Sequence, residues 1–417
     1  MSVYILATLD TKGIEAAFVR DRLRELGVET TLVDCGCRGA PSVRPDIARE
    51  EIFAGDISDD RGTAVTTAAA GAARLITQRY AEGKFSGVLG LGGSAGTTIG
   101  TAAMRALPIG VPKLMVSTLA SGQTRQYVGA KDILMLNAVV DIAGLNGISR
   151  QVLDTAARAM AGMAKMPRAA ASTEDRPLIA ATMFGVTTPC VERARQVLER
   201  AGYEVLVFHA TGSGGQAMES LIDEGLIAGV LDITTTELAD EIVGGFLTAG
   251  ADRLTAAARR GIPQVVSVGA TDMVNFYALD SVPDKFRDRK FHPHNSNVTL
   301  MRTTSEENAR IGADLASKVA ASRGPATIIL PMRGVSALDA PGQPFDDLAT
   351  RQRLFDAIRS HAGSAPIIEL DLHLNDAAFA EHAANELLAL MQQGSHGGTE
   401  NDMERSGRTT GHTDVHG

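Results

Sequence analysis

Residues 87–97 read GVLGLGGSAGT, an apolar run that ends in small residues and is followed by a helical pattern. A strand through Val88, Leu89 and Leu91 would lead to a turn whose glycines leave backbone amides open to an anion. The stretch contains GxGxxxG, but it does not follow the first strand and it lacks the lysine of a P-loop. It therefore favours a phosphate site without matching a standard nucleotide motif, and a glycine turn needed only for packing is the alternative. The candidate contacts in this loop are Gly92, Gly93, Ser94, Gly96 and Thr97.

The rest of the chain alternates short apolar runs with amphipathic segments, which is typical of an α/β protein with parallel sheets. The predicted strands of the first half lie at residues 3–9, 29–33, 88–91, 113–117 and 133–136. Helices are predicted at 14–26, at 66–80 and from 149 to 166.

The second half of the chain repeats the first. RDRLRELGVETTLVD, which ends at Asp34, matches RARQVLERAGYEVLVFH, which ends at His209. Further along, GVLGLGGS pairs with GVLDITTT, and GVPKLMVS pairs with GIPQVVSV. Because the matches keep the same order, they predict two Rossmann-like subdomains related by an internal repeat. The alternative is that unrelated α/β units share helices ending in glycine and strands rich in valine.

Composition shifts set the predicted boundaries. The segment PRAAASTEDRP at 167–177 has the small, polar and proline residues of an exposed linker. We therefore expect a nucleotide-binding subdomain at 1–170 and a second α/β subdomain at 175–393. Residues 394–417 are polar and glycine-rich without a hydrophobic period, so a disordered tail is predicted there.

Composition also limits the function. A net charge of −9, no Trp and 4% aromatic residues argue against a nucleic-acid groove, although nucleotides as small molecules remain open. No apolar run has the length of a membrane span, and the first residues lack the basic region of a signal peptide. With three cysteines, an odd number, these features predict a cytoplasmic protein.

Loops that follow strands hold the candidate ligand contacts of the first unit, because ligands of open parallel sheets bind beyond the carboxyl ends of the strands. In LDTKG, Lys12 is a candidate for phosphate and Asp10 for Mg²⁺ through water; a simple helix cap with an exposed lysine is the alternative. Asp34 stands where ribose-binding acids stand, or is an ordinary strand-end residue. The further candidates in these loops are Thr11, Gly13, Ser117, Thr118, Ser121 and Gly122.

The second unit has different loops. FHATGSGG places His209 before Gly212 and Gly214, a pattern that suits either an anionic substrate or a plain turn. The segment at 289–304 adds His294, Asn295 and Arg302 as candidates for substrate binding. Its HxH can bind a metal, but a third ligand is not identified, so anion recognition by Arg302 is preferred.

The late segment IIELDLHLND alternates apolar and polar residues. It predicts a strand with one solvated face, or a strand whose polar side chains line a cleft as acid and base.

Six motifs, taken together, resemble the family of the N-terminal inhibitory domain of the tomato mosaic virus resistance protein, whose bacterial members were long catalogued as uncharacterised. They are LATLDTKG, GLGGSAGTT, STLASGQTRQYVG, RKFHPHNSNVTLMRTT, LPMRGVSALDAPGQPFDD and ELDLHLND. The resemblance covers nearly all of residues 1–393 and implies two α/β subdomains, a homodimer and ATP binding in the first subdomain. Carried over by motif, it favours the DTKG, glycine and STLASG loops as nucleotide contacts.

The resemblance also has limits. Plant members continue into a TIM barrel, so a separate TIM-barrel partner protein is one expectation for this chain. Inhibition of a viral protein is not expected to transfer, since it depends on a recognition surface and not on these loops.

The sequence therefore predicts an ATP-binding protein of small-molecule metabolism, with Mg²⁺ and with an anionic ligand near the second unit. Whether ATP is consumed is open. A non-catalytic regulatory module is the alternative, and an NAD-dependent oxidoreductase is a further one, although the first loop has only one glycine.

Overall fold

The computed structural model describes residues 1–167 and 176–406, with side chains up to residue 393. The chain divides into two compact units, Met1–Ala171 and Ser172–Gly417. Most of the predicted linker lies outside the described residues, as do residues 407–417 of the predicted tail. The last helix continues to Ser406, past the predicted start of that tail.

The first unit alternates strands and helices along the chain. Its elements are β1 Ser2–Ala7, α1 Leu9–Glu25, β2 Thr30–Asp34, α2 Arg61–Ala81, β3 Phe85–Gly92, α3 Ser94–Arg105, β4 Lys113–Ser117, α4 Arg125–Val128, β5 Leu134–Asn137 and α5 Gly147–Lys165.

These strands form one parallel sheet in the order β2-β1-β3-β4-β5. Strands such as β1 and β3 are buried almost throughout, as expected for a parallel sheet covered by helices on both faces. Gly90 and Gly100 let α3 pack closely on β3, because a Cβ on Gly90 would lie 3.6 Å from Gly100 Cα. Met115 of β4 fills the remaining space, with its Sδ 2.5 Å from a Cβ on Gly90 and 2.9 Å from one on Gly100. This close packing fixes the loop between β3 and α3.

The second unit begins with the same alternation and then adds further elements. They are β6 Leu178–Met183, α6 Thr188–Arg200, β7 Glu204–His209, α7 Ser213–Asp223, β8 Gly229–Thr234, α8 Thr236–Val243, α9 Ala256–Arg260, β9 Gln264–Gly269, β10 Met273–Phe276, β11 Phe291–Asn295, β12 Val298–Arg302, α10 Ser305–Ala320, β13 Ala326–Pro331, α11 Leu348–His361, β14 Ile367–Leu370 and α12 Ala377–Ser406.

Its main sheet has the order β7-β6-β8-β9-β13-β14, so its first four strands follow the same order as β2-β1-β3-β4. All of these strands pair in parallel. Two Rossmann-like parallel sheets are therefore present, as the internal repeat predicts. A three-stranded antiparallel sheet, β10-β12-β11, was not predicted.

Each unit has its own hydrophobic core. In the first, clusters around Ile5 and Val116 on one face and around Ile76 and Met115 on the other enclose the sheet. The clusters of the second unit lie within residues 178–391. Among the described residues, no helix combines the length and apolar character needed to cross a membrane.

Candidate functional site

The crevice of the first unit lies where the strand order reverses. Because β1 is followed by β2 on one side and the chain then returns to β3 on the other, the two connections leave the sheet in opposite directions. In doubly wound folds, this switch point at the carboxyl ends of the strands is where ligands bind. The loop after β1 and the glycine loop after β3 meet here.

The glycine loop is shaped by a close backbone approach. Gly92 ends β3, and a Cβ there would lie 2.8 Å from Gly96 Cα. Gly93 is the cap residue of α3, with φ −81°, and a Cβ on it would meet Thr118 Oγ1 at 3.7 Å, an ordinary contact. No side chain caps the amides of α3. Gly92 thus serves the turn, whereas Gly93 has space on its outer side.

Two hydroxyls predicted as ligand contacts are used by the fold itself. Thr97 and Ser117 are both fully buried, and their Oγ atoms form a hydrogen bond of 2.6 Å. Ser117 Oγ also accepts the N–H of Leu119 at 2.9 Å. They connect α3 to the end of β4, while Ser94 and Ser121 remain exposed.

A cavity of about 500 Å³ opens beside this loop. Its walls come from the loop after β1, the loop after β2, and the first residues of α2 and α3; they include Thr8, Thr11, Cys37, Arg38, Arg61 and Ala95. Its volume falls in the range of pockets that hold small ligands.

Arg38 and Arg61 give this cavity its charge. Arg38 is exposed and donates to the backbone carbonyl of Asp59 at 3.2 Å. Arg61 is the first residue of α2, and within the described residues its side chain has no ion pair or hydrogen bond. Two guanidinium groups beside a helix start suit an anion. Neither arginine was predicted from the sequence, although Arg38 follows a predicted strand and Arg61 begins a helix.

Asp10 supports the wall of the cavity. Its Oδ2 accepts the backbone N–H of Arg38 at 3.1 Å and that of Gly39 at 3.2 Å. The carboxylate therefore positions the loop that carries Arg38, and that oxygen is not open to Mg²⁺. Among the described residues, no three His, Cys, Asp or Glu side chains group in a way that could hold a metal ion.

Lys12 does not line the cavity. It is non-helical inside α1, with φ −126°, and its Nζ donates to the carbonyl of Ile142. In this structure the side chain supports the loop after β5, and its contact with phosphate stays a prediction.

Asp34 is 1% exposed, and both of its carboxylate oxygens have partners. Oδ1 accepts the N–H of Leu9 at 3.1 Å and of Gly36 at 2.8 Å, while Oδ2 pairs with Arg49 at 3.0 Å. A ribose hydroxyl would have to displace these groups, so Asp34 joins β2 to the start of α1.

The remaining predicted contacts vary in access. Thr11 lines the cavity, but Gly13 is buried, and a Cβ on it would lie 2.2 Å from Ser42 Oγ. Thr118 is half-buried, and Gly122 lies exposed in a turn closed by its N–H to Leu119 O at 3.1 Å. Cys37 also faces the cavity, and burial together with the charge of Asp10 raises the pKa of its thiol.

The glycine turn after β7 in the second unit already holds an anion. Gly212 N and Gly215 N donate to Glu237 Oε1 at 2.7 and 3.0 Å. Gly214 packs against the backbone, because a Cβ there would lie 1.9 Å from His209 O. These contacts favour the alternative of a plain turn, because a substrate anion would have to displace Glu237.

Glu237 belongs to a buried ionic cluster. Arg253 Nε donates to Glu237 Oε2 at 2.6 Å, and its Nη atoms donate to Asp232 at 2.6 and 2.8 Å. These three residues are at most 1% exposed. His209 itself remains exposed at the end of β7 against Phe184, and burial lowers its pKa.

Arg302 is likewise used inside the fold. It is 7% exposed and donates to Phe345 O at 2.8 Å, Thr303 Oγ1 at 2.9 Å and Asp339 Oδ1 at 3.3 Å. The guanidinium group that was predicted to bind an external anion therefore pairs with Asp339 of the same chain.

His294 and Asn295 lie elsewhere, exposed at the end of β11 in the antiparallel hairpin. Asn295 Oδ1 caps that turn by accepting Asn297 N at 2.8 Å. The structure therefore places the predicted substrate contacts of this unit on two different sheets.

The alternating segment near the end of the chain forms only a short strand. Beyond β14, His373 Nε2 contacts Ser336 O at 2.9 Å, and Asn375 Nδ2 donates to Val186 O at 2.9 Å. Glu369 pairs with Arg359 at 2.6 Å. The predicted strand thus ends at Leu370, and the polar residues beyond it hold a turn against neighbouring loops.

The fold and the cavity define a class: a two-unit parallel α/β protein with a ligand-sized crevice at the switch point of its first sheet. The chain belongs to the uncharacterised protein family UPF0261, whose N-terminal domain matches residues 1–169 and whose C-terminal domain matches residues 176–391.

Its relatives include bacterial and plant proteins. A UPF0261 protein of Clostridium tetani is 46% identical over 94% of this chain and 99% of that protein. The ToMV resistance protein Tm-1(GCR237) of Solanum lycopersicum is 42% identical over 82% of this chain, but the match covers only 46% of the tomato protein. The predicted homodimer and TIM-barrel partner stay predictions.

Among solved structures, a UDP-N-acetylglucosamine 2-epimerase aligns with a TM-score of 0.24 and 13% identity, over 64% of this chain and 79% of that one. This similarity is too low to carry an inference.

Proposed function

We propose that the first unit binds a nucleotide, ATP in particular, at the carboxyl edge of its sheet, with the phosphates between the glycine loop and the two cavity arginines. The observation that carries the proposal is that Arg38, Arg61 and Ala95, the second residue of α3, line one cavity. Phosphate is the ligand chemistry that backbone amides at a helix start and guanidinium groups hold together.

The geometry favours ATP over NAD. In dinucleotide-binding Rossmann folds, the pyrophosphate lies on the turn after the first strand. Here that turn is occupied by its own bonds: Leu9 N donates to Asp34, and Thr11 N and Lys12 N donate to Thr8 O at 3.0 and 2.8 Å. The start of α3, after β3, borders the cavity through Ala95, and no side chain caps its amides.

Titration calorimetry with ATP, with and without Mg²⁺, tests the proposal, and NAD serves as the competing ligand. Replacing Arg61 with Gln should weaken ATP binding about tenfold or more, because a charged hydrogen-bond donor to phosphate is lost. Lys84→Gln is the matched control, since it removes one positive charge just before β3, at the opposite edge of the same sheet. Tight NAD binding, or no ATP binding by the unchanged protein, would refute the assignment.

A further inference from the structure

The two copies carry different side chains at one equivalent position. In the pairing of GVLGLGGS with GVLDITTT, the residues that follow are Ala95 and Glu237. Ala95 is the second residue of α3, and Glu237 is the second residue of α8. Each helix follows the third strand, in chain order, of its own parallel sheet. The sequence match and the topology therefore give the same equivalence.

In the second unit, the carboxylate of Glu237 lies between the start of α8 and the start of α7. It accepts N–H groups from Gly212 and Gly215 and is fully buried. A Cβ on Gly215 would lie 2.2 Å from Glu237 Oε2, so the α7 turn fits around this group. Arg253 supplies the positive charge.

In the first unit, the surroundings of Ala95 include the cavity described above. Ala95 lines one wall of the cavity. The other walls include the loop after β2, which carries Cys37 and Arg38, and the start of α2, which carries Arg61. Helices α2 and α7 hold the same place in the order, between the second and third strands of their units. A methyl group thus stands where the other copy has a carboxylate. The positive charge comes from a different part of each unit: from Arg38 after β2 and Arg61 at the start of α2 in the first, and from Arg253 after α8 in the second.

We infer that residue 95 determines whether this place accepts an external anion, and that a phosphate of the ligand occupies in the first unit the position that the Glu237 carboxylate occupies in the second. The inference rests on the proposed function and adds where the charged group binds. The second unit contains its own anion at this place, so each chain binds one ATP at these equivalent positions, in the first unit.

The test is to give the first unit the side chain of the second. Ala95→Glu places a carboxylate next to Arg38 and Arg61, and it should weaken binding of ATP and of inorganic pyrophosphate about 100-fold or more, because like charges would then meet. Ala95→Gln is the matched control with nearly the same volume and no charge, and it should lose about tenfold or less. Circular dichroism and thermal unfolding verify that both variants are folded.

The outcomes separate this inference from the proposed function. If the unchanged protein fails to bind ATP, the proposed function itself fails. If it binds ATP and Ala95→Glu binds as tightly as Ala95→Gln, the charged group does not occupy this place and the inference is overturned. Equal, large losses in both variants would overturn it as well, since bulk alone would then explain the effect. A loss confined to Ala95→Glu, with one ATP per unchanged chain, supports it.

Discussion

Gly92 and Gly93 are neighbours in the sequence, but a side chain would meet different surroundings at each. At Gly93 the nearest atom to a Cβ is 3.7 Å away, whereas at Gly92 it is backbone at 2.8 Å. The first glycine of the pair is therefore required by the turn, and the second is available to a ligand.

Gly93→Ala should leave the free energy of unfolding within about 0.5 kcal/mol of the parent value, because its φ is negative and its Cβ has space. It should still weaken ATP binding about tenfold, since the methyl group stands where phosphate approaches the amides. Thermal unfolding and calorimetry measure the two effects. Gly92→Ala is the control and should destabilise the fold; unchanged ATP affinity in Gly93→Ala would remove the glycine loop from the site.

Two variants of Asp10 distinguish a role in positioning the Arg38 loop from a role in binding a metal ion. Asp10→Ala should weaken ATP binding about tenfold, because two backbone N–H groups of the Arg38 loop lose their acceptor. Asp10→Asn should retain most of the affinity, since its amide oxygen still accepts both. The measurement is ATP affinity with Mg²⁺ and with EDTA. Equal losses in both variants that vanish with EDTA would instead identify Asp10 as a metal ligand.

Asp240 in α8 predicts a pH dependence. Burial raises the pKa of this carboxyl to about 7, although it accepts bonds from Asn275 N at 3.0 Å and Asn275 Nδ2 at 2.7 Å. The folded protein thus holds a proton that the unfolded chain releases near pH 4. Its stabilising contribution is complete below pH 4 and is lost as the pH rises through about 7.

Asp240→Asn removes this titration. Relative to the unchanged protein, the variant should gain about 1 to 3 kcal/mol of unfolding free energy between pH 4 and pH 7.5. Asn275 Oδ1, which is buried without a partner in the described residues, can accept the new amide N–H after a flip. Urea unfolding at a series of pH values measures the difference, and parallel curves for the two proteins would contradict the assignment.

For single residues, the sequence predicted which loops converge better than it predicted the contacts of individual side chains. Thr11 lines the cavity, and Ala95 brings the start of α3 to it, because strand-end loops converge there in any doubly wound sheet. Arg38 and Arg61 could not be selected, since their side chains meet only after α2 and the loop after β2 have folded. Asp34 and Arg302 had the right chemistry for a ligand, but partners distant in the sequence occupy them.

At the level of elements, periodicity predicted the parallel strands, and β4 occupies the expected residues. Helix α1 begins at Leu9, earlier than the predicted residue 14, because Thr8 O and Asp34 satisfy the first amides of LDTKG. The hairpin of β11 and β12 was not predicted, since polar residues at 292–297 interrupt the apolar pattern and long-range pairing sets the strands. Local patterns do not contain that information.

For the whole molecule, the internal repeat could be predicted because its three matches fall on equivalent strands: β2 with β7, β3 with β8, and β4 with β9. Strand β13 occupies the place of β5 in the sheet order without a sequence match, and β14 is an additional strand of the second unit. The matches could not show that, in the second unit, the carboxylate of Glu237 binds the amides of the glycine turn.

The built-in carboxylate of Glu237 has a consequence for how the two halves respond to heat. A ligand that binds only the folded first unit raises its stability with the logarithm of ligand concentration. In the second unit the anion is the side chain of Glu237, so its local concentration does not depend on the concentration of any ligand. Under the proposed function, the melting temperature of the first unit would rise with ATP concentration, whereas the contribution of Glu237 to the second unit would not change with it.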